Sequence, residues 1–481
     1  MSRGVGLAAL AFALLLSSCM VGPNYTKPKV AAAPSYSEPA PQSFQETSGW
    51  KTAKPSDALL KGRWWEVFKD PDLTALEEQV GPANQSLQIA VANFRQAQTQ
   101  IQINRSNLFP TIGVGPGVTG NRLSGNVLST THPGSEYGLF TLPGNLSWEA
   151  DLWGRLRRNV TSARELTQAS AGDLANVKLE LEAELATDYF ETRSLDAQKR
   201  LLDDTMVAYT RALELTQNRY NGGVASKVEV EQAATQLQQT QAADIDLAVA
   251  RAQFEHAIAV LVGRVPENYH LPLEPLTQTP PAIPTGVPSE LLERRPDIAS
   301  AERRLASANE QIGIARAAYY PTLTISATGG FQGGSIVNWF TWPSRFWAAG
   351  PQLSETVYDA GRRRAVLEGT EAVYDANLAN YRQTTLTAFQ EVEDSLSSLR
   401  ILEQESGKQH EATLSAESSL QLSLNRYKGG LVTYLEVITA QTIALANERT
   451  DVDLMRRRID ASVELIRALG GGWDTSQLPK V

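Results

Sequence analysis

Apolar side chains along this chain follow two rhythms. In two proline-free stretches, between Pro143 and Pro266 and between Pro351 and Pro479, they recur three and four positions apart. Leu174, Val177, Leu181, Leu185, Tyr189, Leu202, Met206, Tyr209 and Leu213 carry the pattern in the first, Phe389, Val392, Leu396 and Leu399 in the second. The positions between are mostly Gln, Ala, Thr, Ser and Glu. This predicts helices over 155–220 and 362–427 that bury a narrow coiled-coil seam and wet their other faces. Each would run to roughly 100 Å, longer than any ordinary globular core. Shorter periodic segments, 227–261 and 434–469, return antiparallel and stop at Gly263 and at Gly470-Gly471-Gly472. Upstream, a helix is expected over 84–107, and a shorter one opens at Trp64-Trp65, Phe68 and Asp70-Pro71 and ends before Pro82.

The second rhythm has period two. In 322–328, Leu323, Ile325 and Ala327 alternate with Thr322, Thr324, Ser326 and Thr328, a strand with one greasy and one wet face. Ile112, Val114 and Val118 alternate with Thr111, Gly113, Gly117 and Thr119. Leu142, Leu146, Trp148, Ala150 and Leu152 alternate with Asn145, Ser147, Glu149 and Asp151. In a fourth strand Gln352, Ser354 and Thr356 face away from Trp347, Ala349, Leu353 and Val357, with Glu355 breaking the apolar side. Trp339, Phe340, Trp342, Phe346 and Trp347 crowd the second strand pair, as an aromatic girdle at a membrane interface would.

The pattern is duplicated. Asn218-Arg219-Tyr220-Asn221-Gly222-Gly223-Val224 returns 207 positions later as Asn425-Arg426-Tyr427-Lys428-Gly429-Gly430-Leu431. Paired glycines suit the left-handed turn after a helix, so each copy reads as the tip of a helical hairpin. Phe109-Pro110-Thr111 matches Tyr320-Pro321-Thr322, and Asp151-Leu152-Trp153-Gly154-Arg155 matches Asp359-Ala360-Gly361-Arg362 with one residue fewer. Two repeats follow, 63–265 (strand hairpin 108–152, tip 219–226) and 289–472 (strand hairpin 320–358, tip 426–433). A Pro-rich linker at 266–288 joins them, and 473–481 is a tail.

Composition and the N-terminus place this architecture. Among 481 residues 42% are hydrophobic, enough for sizeable cores, and the net charge of −9 disfavours nucleic acid as a partner. Arg3, the apolar run Leu7 to Leu16 and Leu16-Ser17-Ser18-Cys19 read as a signal peptide over 1–18 ending in a lipobox. Cys19 would then be the lipid-attachment site, and as the only cysteine it excludes disulfides. The segment 19–62, rich in Pro, Ala and Ser, is expected to be an extended arm.

No catalytic or cofactor chemistry is legible. Gly115-Pro116-Gly117-Val118-Thr119-Gly120 has dinucleotide-fingerprint spacing, but no helix N-terminus follows and Pro116 removes an amide. His132, His256, His270 and His410 lack metal-site spacing. We expect no enzyme, no cofactor and no metal.

Four membrane strands cannot close a barrel alone, because lipid tolerates no open edge. A dimer would give eight strands filled by side chains, and a trimer twelve with room for a lumen. Helical hairpins would continue that barrel as a tube on one side of the membrane.

Gly22-Pro23-Asn24-Tyr25, the Trp64-Trp65 segment, Asp151 to Arg155, Leu291-Leu292-Glu293-Arg294-Arg295-Pro296-Asp297-Ile298 followed by Ala301-Glu302, and both Arg-Tyr-x-x-Gly tips together carry a resemblance. The chain resembles the TolC-like outer-membrane efflux factors, in their OprM-like lipoprotein branch. The resemblance implies an α+β membrane protein: a homotrimeric twelve-stranded β-barrel, four strands per chain, continued by a periplasmic α-barrel of twelve helices. It implies a passive exit duct in the outer membrane, anchored through Cys19. The implied partners are a periplasmic adaptor and an inner-membrane pump of the resistance-nodulation-division type. The alternative is a periplasmic coiled-coil scaffold lipoprotein that does not span the membrane.

The same resemblance implies a gate at the hairpin tips. Glu229 and Glu436 stand where the family carries acids, and Tyr427 where it carries a gating tyrosine. Val432 takes the place of the gating arginine and Thr439 that of a second acidic ring, so closure should lean on packing and on a Glu229/Tyr427 pair. Three copies of Glu436 around one constriction should repel one another and attract cations. The tips, with Arg219, Tyr220, Gly222 and Gly223 on one and Arg426, Gly429 and Gly430 on the other, are the surface expected to meet the adaptor.

Overall fold

The computed structural model describes residues 20–29, 33–39, 41, 62–122, 124, 126, 136–283 and 290–480. The expected signal peptide 1–18, Cys19 and His132 lie outside the described residues. Helices α1 (Pro71–Ala83) and α2 (Gln85–Ser106) lead into strands β1 (Thr111–Val114), β2 (Gly117–Arg122) and β3 (Glu136–Ala150). A 67-residue helix α3 (Arg155–Asn221) and a 35-residue helix α4 (Lys227–Leu261) complete the first half. The second half runs α5 (Pro296–Ala317), β4 (Thr322–Gly333), β5 (Arg345–Ser354), α6 (Arg362–Lys428) and α7 (Tyr434–Ala468). Its two long helices repeat the lengths of 67 and 35 residues, so the duplication extends to the backbone.

Four strand lengths form one antiparallel sheet, ordered β1-β3-β4-β5, with β2 also on β3. Thr111 pairs with Ser147 and Gly117 with Thr141, one unbroken register, and the Gly115 amide between them still donates to the Pro143 carbonyl at 3.3 Å. β1 and β2 are therefore a single strand nicked at Pro116, which has no N–H to donate.

The register aligns each greasy row across the sheet: Ile112, Leu146, Ala327 and Ala349 in one, Ala150, Leu323 and Leu353 in another. Intervening rows carry Thr111, Ser147, Ser326 and Gly350, or Gly113, Asn145 and Thr328. One face is thus apolar except at its loop-side end, where Arg345 and the Arg122–Glu136 pair sit, and the other is largely polar. All four helix connections leave the same end of the sheet. Among the described residues no helix is long and apolar enough to cross a membrane.

At mid-length the long helices gather α1 and the linker into the main core, around Trp64, Phe68, Leu185, Tyr189, Phe190, Ile258, Val392 and Val463. Asp70 caps α1 by accepting from the Asp72 and Leu73 amides, and its second oxygen accepts from the Tyr189 hydroxyl at 2.8 Å. The described start of the N-terminal arm, around Val21 to Tyr25, lies along α3 and α5. Arg158 donates to the Val21 carbonyl at 2.8 Å and to Glu310 at 2.7 Å, and the Tyr25 hydroxyl donates to Glu302 at 2.6 Å.

Two expectations change. Helix α1 does not end before Pro82 but runs through it to Ala83. So close to the helix end, proline forfeits a single backbone bond. Nor is the α3 seam narrow throughout. Leu174, Val177, Leu181 and Met206 are only half-buried, whereas Leu179, Ala183, Ala186 and Phe190 are buried because α1, the linker and α7 wrap this part of the helix.

Candidate functional site

Both hairpin tips end their long helices in the same way. The Gly223 amide bonds the Tyr220 carbonyl and the Val224 amide that of Arg219, both at 2.9 Å. Gly430 and Leu431 do the same to Tyr427 and Arg426. Only the second glycine of each pair adopts the left-handed conformation, with φ of 75° at Gly223 and 71° at Gly430. Gly222 and Gly429 keep ordinary negative φ, so the paired-glycine reading holds for one residue of each pair.

After the turns the two copies diverge. Helix α4 starts with a reciprocal capping box in which the Glu229 amide donates to the Ser226 hydroxyl and the Ser226 amide to a Glu229 oxygen, each at 3.4 Å. Helix α7 has no side-chain cap from Thr433. Its Glu436 accepts instead from Arg426 at 2.7 Å. Each copy of Glu436 thus brings its own cation to the tip.

Side chains lock the two tips together. The other oxygen of Glu229 accepts from the Tyr427 hydroxyl at 3.2 Å, and that hydroxyl also lies 3.4 Å from the Thr216 hydroxyl. Arg219, expected on the adaptor-facing surface, turns inward. Its guanidinium donates to the Tyr427 carbonyl at 2.9 Å and sits over the Tyr427 ring, 4.6 Å from the centroid. There it also faces the carbonyl end of α6, where positive charge is favoured. Tyr427 is 1% exposed, and burial above all holds its hydroxyl above the usual tyrosine range, with the Glu229 carboxylate acting in the same direction. It remains a donor at every physiological pH.

Around this pair Ala212, Ala233, Tyr434 and Val437 form a small core joined by Val432, Leu213 and Leu424. Val432, where the resemblance implies an arginine, contributes packing. Tyr220 stays exposed at 41%, as do Val224 and Leu431 at the turns. A groove of about 550 Å³ opens between the first turns of α4 and α7, lined by Lys227, Val228, Glu231, Gln236, Leu435 and Ile438. Among the described residues no three His, Cys, Asp or Glu side chains gather to hold a metal.

Residues 78–264 and 287–471 match the outer membrane efflux protein family. The chain belongs to it. The solvent efflux pump outer membrane protein SrpC of Pseudomonas putida is 31% identical over 474 residues, covering 96% of this chain and 97% of its own length. Outer membrane protein OprJ of Pseudomonas aeruginosa is 31% identical, covering 98% and 96%. The outer-membrane channel OprN superposes with a TM-score of 0.86 at 28% identity, over 95% of this chain and all of that one. VceC of Vibrio cholerae gives 0.80 at 28% identity, over 86% of this chain. The fold is that of the TolC-like outer-membrane channels. This outer membrane efflux protein is a transport component and not an enzyme, with a large periplasmic part, and the periplasmic-scaffold alternative is set aside.

Within the family's duplicated frame, Glu229 and Tyr427 come together and Glu436 lies apart from them, on Arg426. Reading the sequence missed Arg219 as a tie between hairpins. The only signal available was its place in a repeated motif, which does not reveal that the two copies of the arginine turn to different partners.

Proposed function

We propose that three copies of this chain form a passive exit duct of a tripartite efflux system. The observation that carries the reading is the sheet, whose apolar and polar rows run across all four strand lengths and whose edges, β1–β2 and β5, have no partner strand among the described residues. Lipid tolerates no open edge, and joining edge to edge around a threefold axis gives twelve strands with the polar face on the lumen. Cys19 carries the lipid that adds an anchor.

The duct closes at its periplasmic tip. The Arg219–Tyr427–Glu229 cluster ties the two hairpins of a subunit together, and Glu436 with Arg426 lies beside the aperture. No phosphate-binding loop supplies energy, so opening comes from a partner that binds the untied tips better than the tied ones. A periplasmic adaptor docks on the exposed turns and the groove between α4 and α7, and couples the duct to an inner-membrane pump of the resistance-nodulation-division type. The relatives' names span solvent, toluene and antibiotic efflux, in keeping with substrate choice residing in the pump.

Outer-membrane fractions should yield heat-modifiable trimers that conduct ions in planar bilayers. Ala349→Asp on the apolar face should abolish trimer recovery, whereas Ser326→Asp on the polar face should be tolerated. Monomers without conductance would refute the duct.

A further inference from the structure

We infer a binding site for an organic cation with an apolar body, in a cavity between the two hairpins well away from the tips. The cavity, about 500 Å³, lies within the range of about 300 to 1,000 Å³ typical of small-molecule sites. Its floor is apolar: Ala197 and Leu201 from α3, Leu276 from the linker, and Val452 and Met455 from α7. Its remaining wall is polar, with Ser406, His410 and Thr413 beside three acidic residues. Glu448 and Asp451 lie on the same face of α7 as Val452, and Glu417 comes from the facing side of α6, seven positions beyond His410.

Charge decides the class of occupant. Asp451 already has a partner, its carboxylate lying 3.2 Å from the His410 ring. Neither Glu417 nor Glu448 makes an ion pair or hydrogen bond among the described residues, and no Lys or Arg lines the cavity. Glu448 is half-buried, and its carboxyl is held above the usual range by burial and then by Glu417. A cation placed between them would relieve that repulsion, while an apolar body would cover the side chains of Leu201, Leu276, Val452 and Met455. A hydrated inorganic ion could meet the carboxylates but would leave the apolar floor wet. A neutral apolar molecule would leave the two carboxylates unpaired.

The test uses the full-length trimer in detergent, titrated calorimetrically with tetraphenylphosphonium, with the uncharged triphenylphosphine oxide and with Mg²⁺. Saturable binding of the phosphonium at one site per chain is expected, with the neutral analogue binding more weakly. Glu417→Gln together with Glu448→Gln should weaken the phosphonium about tenfold, the loss of the carboxylates' Coulombic attraction, and leave the neutral analogue unchanged. Val452→Trp, which fills the cavity and keeps both acids, should abolish binding of both organic probes. Equal binding of cation and neutral analogue would overturn the inference. So would displacement of the phosphonium by stoichiometric Mg²⁺, or the absence of saturable binding to a trimer that still conducts. Far-ultraviolet circular dichroism and trimer recovery establish that each variant is folded. Conductance is read separately, so failure of this site leaves the duct reading standing.

Discussion

Replacing Arg219 with alanine should open the duct. The side chain gives a charged hydrogen bond to the Tyr427 carbonyl at 2.9 Å, a longer one to the Lys428 carbonyl at 3.5 Å and a cation–π contact at 4.6 Å. A charged hydrogen bond contributes about 1.5 kcal/mol at the lower end of its range, and a partly exposed cation–π contact about 0.5 to 1. The loss is thus about 2 kcal/mol per subunit, which shifts the ratio of tied to untied tips roughly thirtyfold. If the three tips move together the shift is about 6 kcal/mol per trimer, enough to invert a closed equilibrium. The assay is single-channel recording in planar bilayers, where Arg219→Ala should show larger conductance and longer open times. Arg219→Lys, which keeps the charge and a donor but loses the planar stacking, should fall between. Trimer recovery and helicity should not change, which separates a gating role from general destabilisation. Wild-type conductance in Arg219→Ala, alongside clear opening in Tyr427→Phe, would refute the reasoning and leave Arg219 a mere surface filler.

Three further outcomes are expected. Gly223→Ala and Gly430→Ala should each cost about 1 kcal/mol in thermal unfolding, because both sit at positive φ. Gly222→Ala, with ordinary φ and its nearest neighbour atom 3.5 Å from the new methyl, should be close to neutral in the same scans. Gly313→Ala should be severe, since the added carbon would meet the Arg158 side chain at 2.4 Å and part the buried Arg158–Glu310 bridge. Breaking a buried pair costs about 3 to 5 kcal/mol, read as lost trimer yield and a lower midpoint. Burial lifts the Asp460 carboxyl to about 7, with Arg456 opposing and Glu191 and Asp453 reinforcing the rise. In the unfolded chain it titrates near about 3.9, so its contribution is full below that pH and is lost as pH rises through 7. The unfolding midpoint should therefore fall as pH rises from about 4 to about 7 and level off above that, and Asp460→Asn should remove that part of the slope.

Much of this fold was legible because its strongest signals are local. The long helices end within a residue of where proline-free runs and glycine turns put them, at Asn221 and Lys428. Strand alternation likewise located β3, β4 and β5, since period two survives whatever the sheet packs against. Contacts between distant parts were not legible. Arg219 and Tyr427 are 208 positions apart, and no periodicity links them. The buried polar groups around the arm, such as Arg158 with Glu310 and Tyr25 with Glu302, look in sequence like ordinary solvated helix residues. The Glu229/Tyr427 pair was foreseen only through family resemblance. The local role of Glu229 as a capping-box glutamate does not exclude that pairing, because each uses a different carboxylate oxygen.

That double use explains how two nearly identical tips can have different duties. In the first, Glu229 closes its own helix start with one oxygen and holds Tyr427 with the other, so the α3–α4 turn is braced from within. The second lacks the box: Thr433 makes no cap bond, and Glu436 is drawn to Arg426 across the turn. The position of the second tip therefore depends on what the first gives it, namely Arg219 on its last carbonyls, Glu229 on its tyrosine and Ala212 and Ala233 against its apolar side. A duplicated hairpin has become an anchor and a dependent arm. A partner that competes for the anchor's side chains would free the arm without unfolding either helix, and the gate proposed for these tips needs no more than that to open.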